Sequence, residues 1–81
     1  MENISIYDNG GKTLDRITVI FNYRKRVTKD GILYECIAAS ETGSGFFLHS
    51  EAMKGVHLGE KTDFSKLSLP LQNKLLIEIN K

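Results

Sequence analysis

The sequence predicts an α+β fold: a mainly antiparallel, strongly twisted sheet of four or five strands, with one C-terminal helix packed on one face. Three observations carry this reading. Asp8-Asn9-Gly10-Gly11 forms a turn signal just ahead of an alternating apolar run, Ile17, Val19 and Phe21. Asp30-Gly31 separates two strand-like segments, and Leu71 to Lys81 contains no Gly or Pro to interrupt a helix.

Ile4 and Ile6 alternate with Ser5 and Tyr7, the period-2 pattern of a short first strand. The chain should then reverse at Asp8 to Gly11, because Asn and Gly tolerate positive φ and the Asp carboxylate bonds a backbone N–H two residues on. It returns as a strand over residues 16 to 23, which buries the Ile17, Val19 and Phe21 face. Asp30-Gly31 is favoured in two-residue hairpin turns, whose central positions need positive φ. That geometry pairs Lys29 with Ile32, Val27 with Tyr34, Arg26 with Glu35 and Lys25 with Cys36. Tyr23, Val27, Tyr34, Cys36 and Ala38 then share the expected core face, and Arg24, Arg26, Leu33, Glu35 and Ile37 share the other. Lys25 falls on the core side, a misfit that predicts a bulge or a sheet edge.

Ser40 to Gly45, with two glycines and three hydroxyl residues, is a mobile loop by composition. Phe46 to Leu48 forms a short strand ending at His49, and Ser50 to Gly55 a polar connection in which Glu51 to Lys54 suits one helical turn. Val56 to Phe64 forms a last strand and turn. In the terminal helix Ser68 is the N-cap and Pro70 lies in the first turn, where its missing N–H costs no bond. Leu69, Leu71, Leu75, Leu76 and Ile79 fall within an arc of about 160° and form the face that docks on the sheet.

The 81 residues make one domain, 1–81, with a small core: roughly 60% of the unfolded surface is buried at this size. A net charge of +1 and 41% hydrophobic residues describe an ordinary globular chain, and exclude nucleic-acid binding by the whole surface. The single cysteine, Cys36, excludes an intrachain disulfide and a multi-cysteine zinc site, and reads as a small buried strand residue. Glu2 and Asp8 stand where a secretory signal would be basic and then apolar. No apolar run approaches the about 20 residues that span a bilayer, so no membrane partner is expected.

Several groupings invite a chemical reading. Gly11-Lys12-Thr13 ends like a phosphate-binding loop, but Ile6 stands where that motif requires its first glycine. His49, Glu51 and His57 are metal-ligating residue types without an established spacing, so no metal and no cofactor is expected. Asp15, Ser40, His49 and Glu51 are the candidates for acid, base or nucleophile, and nothing in their spacing brings them together. The one true charge cluster is Tyr23-Arg24-Lys25-Arg26 with Lys29 nearby. On a β-ribbon these cations suit phosphates, with Tyr23 or Tyr34 stacking on a base. The same cations also guard an edge strand against sheet-to-sheet pairing.

Tyr7-Asp8-Asn9-Gly10-Gly11-Lys12-Thr13 followed by Asp15-Arg16, Ser40-Glu41 leading to Gly45 and His49 to Glu51, and His57-Leu58-Gly59 followed by Phe64, Leu67 and Pro70 occur together in this chain. In these segments it resembles a family of small uncharacterised proteins of phages, plasmids and other mobile elements. It departs from that pattern at Ile17, where an aromatic is expected, and in a shorter central loop without proline. The resemblance implies context rather than chemistry. It marks Asp8, Lys12, Asp15, Arg16, His49 and Glu51 as a polar set, either one surface site or ion pairs and caps that hold the turn to the loop.

The function expected on these grounds is that of a non-catalytic accessory binding protein, acting in the cytoplasm of the host cell as a monomer or small homo-oligomer. It would engage a protein partner encoded by the host or the element. A nucleic-acid-binding module using residues 23–29 is the alternative, and a small enzyme with a polar site near Asp15, His49 and Glu51 the third reading.

Overall fold

The computed structural model describes residues 3–81; Met1 and Glu2, with the N-terminal charge at Glu2, lie outside the described residues. Five strands, β1 (Ile4–Asp8), β2 (Ile17–Thr28), β3 (Gly31–Ala39), β4 (Phe47–Ala52) and β5 (Glu60–Thr62), form one antiparallel sheet in the order β4-β3-β2-β1-β5. The helix α1 (Leu69–Ile79) follows the last strand, giving the α+β arrangement that the sequence predicts.

The first hairpin follows the residue chemistry closely. Asp8 Oδ1 accepts from the Gly10 amide at 2.8 Å, and Gly10 and Gly11 both take positive φ, 78° and 86°. Ile4 pairs with Phe21, Ile6 with Val19 and Asp8 with Ile17. Ile17, Val19 and Phe21 are buried as expected, and so are Thr18 and Ile20, because this stretch of β2 is covered on both faces.

The second hairpin departs from the expected register. Thr28 pairs with Gly31, Val27 with Ile32, Arg26 with Leu33 and Lys25 with Tyr34. Lys29 and Asp30, not Asp30 and Gly31, form the centre of the turn. Among the described residues only glycines have positive φ, so a turn needing it at both central positions is not formed, and Gly31 takes positive φ after the turn. The Thr28 hydroxyl holds the alternative by accepting from the Asp30 amide and donating to the Gly31 carbonyl. The change moves each partner by two residues, so the division of β3 into two faces survives. The misfit at Lys25 resolves as a register irregularity between Ile20 and Lys25.

The larger core lies on the face opposite to the one expected. Ile6, Val19, Ile37 and Ala39 pack with Leu67, Leu71 and Leu75 beneath α1, on the Ile37 side of β3. Tyr23 meets Phe21 of this cluster edge-on, with ring centroids 6.1 Å apart, and does not join the Cys36 face. The Cys36 face carries a smaller cluster of Ile20, Cys36 and Leu58, flanked by Tyr7, Tyr34 and Ala52. Cys36 is thus a buried strand residue, and burial pushes its thiol pKa up, with Asp15 and Glu51 adding in the same direction.

Residues 48 to 66 hold the other corrections. The fourth strand runs on to Ala52, so Glu51 is a strand residue and the 51–54 helical turn is not formed. The chain then passes from one sheet edge to the other through a 3-10 turn at Val56–Leu58, which sets Leu58 on the second cluster; the last strand is Glu60–Thr62 alone. In α1 the Ser68 hydroxyl accepts from the Leu71 amide, as a cap should. Leu71 and Leu75 are enclosed and Ile79 packs beside them, but Leu69 and Leu76 face solvent. The docked stripe is therefore narrower than the sequence pattern. The segment 40–45, read from composition as a mobile loop, is fastened to the helix: Lys74 Nζ donates to the Gly43 carbonyl at 2.9 Å and Ser68 Oγ to the Glu41 carbonyl at 2.7 Å.

Candidate functional site

The turn between β1 and β2 is a self-satisfied polar structure. The Asn9 side chain accepts from the amides of Gly11 and Lys12, and its Nδ2 donates to the Thr13 hydroxyl, which donates in turn to Asp15. Arg16 reaches back across the base of the turn, its Nε 2.9 Å and its Nη2 3.3 Å from the two Asp8 carboxylate oxygens. Its other nitrogen, Nη1, lies 3.8 Å from Glu41, so one guanidinium spans the turn and the central loop. This two-point pairing holds the Asp8 carboxyl below the usual carboxylate range, with the Gly10 amide acting in the same direction against the cost of burial.

A prediction follows from the sign of that shift. A carboxyl whose folded pKa is depressed contributes stability above its unfolded value, near the ordinary 3.8, and loses it as pH falls through the folded value. Asp8→Asn is therefore expected to destabilise the protein at neutral pH, and the difference from wild type should shrink progressively below about pH 4. Urea denaturation at a series of pH values measures this; a difference independent of pH would show that the pair contributes nothing.

The polar set does not gather into one site. Asp8, Asp15 and Arg16 lie with the backbone of Lys12 in and around the turn, whereas His49 and Glu51 lie on β4, which β3 and β2 separate from β1. His49 Nε2 is 3.0 Å from Glu78 of α1. Glu78 also meets Lys81, and these two neighbours, Lys81 foremost, lower its pKa. Glu51 takes both ends of the Arg26 guanidinium, at 3.1 and 3.2 Å, which lowers its own pKa. Asp15, His49 and Glu51 thus take separate partners, Thr13, Glu78 and Arg26. Of the two alternatives for the polar set, the turn residues match ion pairs and caps, with Arg16 as the tie to the loop.

The basic hairpin is partly neutralised. Arg24 lies 3.5 Å from Glu35, with its guanidinium over Phe21 at 5.0 Å and Tyr23 at 5.3 Å, and Arg26 is held by Glu51. Lys25 and Lys29 have no carboxylate within salt-bridge distance among the described residues. Tyr23 is exposed and Tyr34 half-buried, with the Lys54 ammonium 4.6 Å from the Tyr34 ring. These pairings are between residues far apart in sequence, which a reading of the hairpin as a local cluster misses.

Sequence reasoning also missed a cleft of about 520 Å³ between the first turn and β5, lined by Asp8, Lys12, Arg16, Glu60, Lys61 and Lys66. Gly59 closes its end against the backbone of Asp8 and Asn9. His57-Leu58-Gly59 marks this approach in the sequence, but the lysines stand alone there and form no charge run. A smaller hollow of about 230 Å³ shares Asp8, Arg16, Thr62 and Lys66 with the cleft and extends to Ser68 at the start of α1. Among the described residues no three His, Cys, Asp or Glu side chains are grouped to hold a metal ion. Among the described residues no helix is long and apolar enough to cross a membrane. Comparison with protein-family models, with curated proteins and with solved structures finds no match.

Proposed function

We propose that this chain is a small non-catalytic binding domain with a protein partner, acting as an accessory factor of a phage or other mobile element. The observation that carries the reading is the pairing of Arg24 with Glu35 and of Arg26 with Glu51. A phosphate backbone binds by charge. Two of the four hairpin cations already have carboxylate partners, and releasing them costs those pairs. The outward side of α1 supports a protein partner further. Leu69, Leu76 and Ile77 are exposed at 71%, 36% and 64%, and with Asn73 and Asn80 they make an uncharged arc of about 100°. Interface centres are depleted in charge in the same way. The mobile-element part of the proposal rests on the Tyr7 to Thr13 motif with Asp15-Arg16.

Nucleic-acid binding is the second reading, favoured by exposed Tyr23 beside the Arg24 guanidinium, a surface on which a base can stack. The ultraviolet spectrum of the purified protein separates the two. With three Tyr and no Trp the chain absorbs weakly, so bound nucleic acid raises the signal at 260 nm conspicuously. The protein-partner reading expects a tyrosine spectrum after purification at low salt. A maximum at 260 nm that high salt removes would favour the second reading.

A further inference from the structure

The cleft beside the first turn gives the partner's chemistry, on the premise that the partner is a protein. We infer that it receives an acidic peptide segment of that partner, held by Lys12, Lys61 and Lys66 with Arg16 between them. Four cations face two carboxylates, Asp8 and Glu60, around about 520 Å³ of open space. That volume lies within the range of about 300–1,000 Å³ usual for ligand sites. Asp8 is already matched by Arg16 and the Gly10 amide. Lys12, Lys61 and Lys66 have no carboxylate within salt-bridge distance among the described residues, in a chain whose net charge is only +1. The lining of the cleft thus carries a local excess of positive charge.

The turn's hydrogen bonds decide which anion fits. A compact phosphate is bound by converging backbone amides. Here the amides of Gly10, Gly11 and Lys12 are already taken by the side chains of Asp8 and Asn9. What remains is a set of separate ammonium groups on long side chains, which suits carboxylates spaced along a chain. No aromatic residue lines the cleft to stack a base, which separates it from a single-strand nucleic-acid groove. The adjoining hollow leads to Ser68 and so to Leu69, the first residue of the uncharged helix side. An acidic segment in the cleft therefore places its flank beside an exposed leucine.

The test uses a fluorescent oligoglutamate of about eight residues, roughly 27 Å extended, titrated with the full chain at about 50 mM salt, where screening is weak. Oligothymidylate of similar length and inorganic phosphate serve as the other probes. Lys61→Ala with Lys66→Ala is expected to weaken oligoglutamate binding at least about tenfold, the scale of losing charge-assisted contacts. Lys25→Ala with Lys29→Ala removes the same charge elsewhere and is expected to change it less than about twofold, with melting temperatures unchanged in both variants. Equal weakening by the two pairs overturns the inference, because binding would then follow net charge alone. No oligoglutamate binding, with oligothymidylate also unbound, overturns the inference and leaves the protein-partner reading standing. Oligothymidylate or phosphate bound more tightly than oligoglutamate through Lys61 and Lys66 also overturns it, and with oligothymidylate the protein-partner reading fails as well.

Discussion

Leu75→Ala is expected to lower the melting temperature by roughly 10–30 °C. Leu75 is fully enclosed between the helix and the sheet, in one cluster with Ile6, Val19, Ile37 and Leu71. Truncating such a leucine costs about 2–5 kcal/mol, as lost transfer energy plus the cavity left behind. A domain of this size has about 5–15 kcal/mol at most and lies toward the lower end, so the change removes a large share of its stability. The exposed neighbour supplies the control. Leu76→Ala removes a side chain that is partly in water and should cost less, about 1–2 kcal/mol. Thermal unfolding followed by circular dichroism gives both values, and equal shifts would mean that α1 is rotated from the orientation described.

Gly59→Ala is the second substitution with a large expected effect, and its cause is the backbone. Gly59 has φ of 97°, and a Cβ there would lie 2.5 Å from Asn9 Cα and 2.6 Å from the Asp8 carbonyl carbon. Neither neighbour is the end of a flexible side chain that can swing aside. The strained φ and the overlap together should cost roughly 2–5 kcal/mol, unless the connection before β5 lifts away. Lifting would separate β5 from β1 and open the cleft. Hydrogen exchange distinguishes the routes: the variant should lose protection at the β1–β5 pairing while α1 keeps its own. A variant with wild-type stability and protection would show that the connection does not sit on the first turn.

The parts of this fold legible in the sequence are those made by residues near one another. The Ser68 cap, the Pro70 position and the Asp8-to-Gly10 bond each need only a few residues, and each forms as its chemistry dictates. The register at Asp30-Gly31 departs from the sequence expectation for a local reason, since Thr28 offers a competing pair of hydrogen bonds. Other departures have non-local causes. β4 runs on past His49 because β3 supplies it a partner as far as Tyr34, opposite Ala52, and the side-chain partners of His49 and Glu51, Glu78 and Arg26, lie 29 and 25 residues away. Leu69 and Leu76 belong to the apolar helical pattern, but which part of that pattern meets the sheet depends on packing. The candidate site divides in the same way: Arg16 lies eight residues from Asp8 and their pairing was foreseeable, whereas Lys61 and Lys66 reach the cleft through a connection that crosses the sheet.

With the hairpin arginines committed to Glu35 and Glu51, the hairpin has little free charge to offer a phosphate backbone. The salt dependence of oligonucleotide binding tests this most directly, because log K falls with log salt by about 0.9 per phosphate neutralised on duplex DNA and about 0.7 on single strands. No measurable retention of duplex or single-stranded oligonucleotide is expected at about 0.15 M salt, where the charges that remain are largely screened. Retention with a slope near −3, flattened by about one to two units when Arg24 and Arg26 are both replaced by Ala, would contradict it and assign the hairpin to nucleic acid.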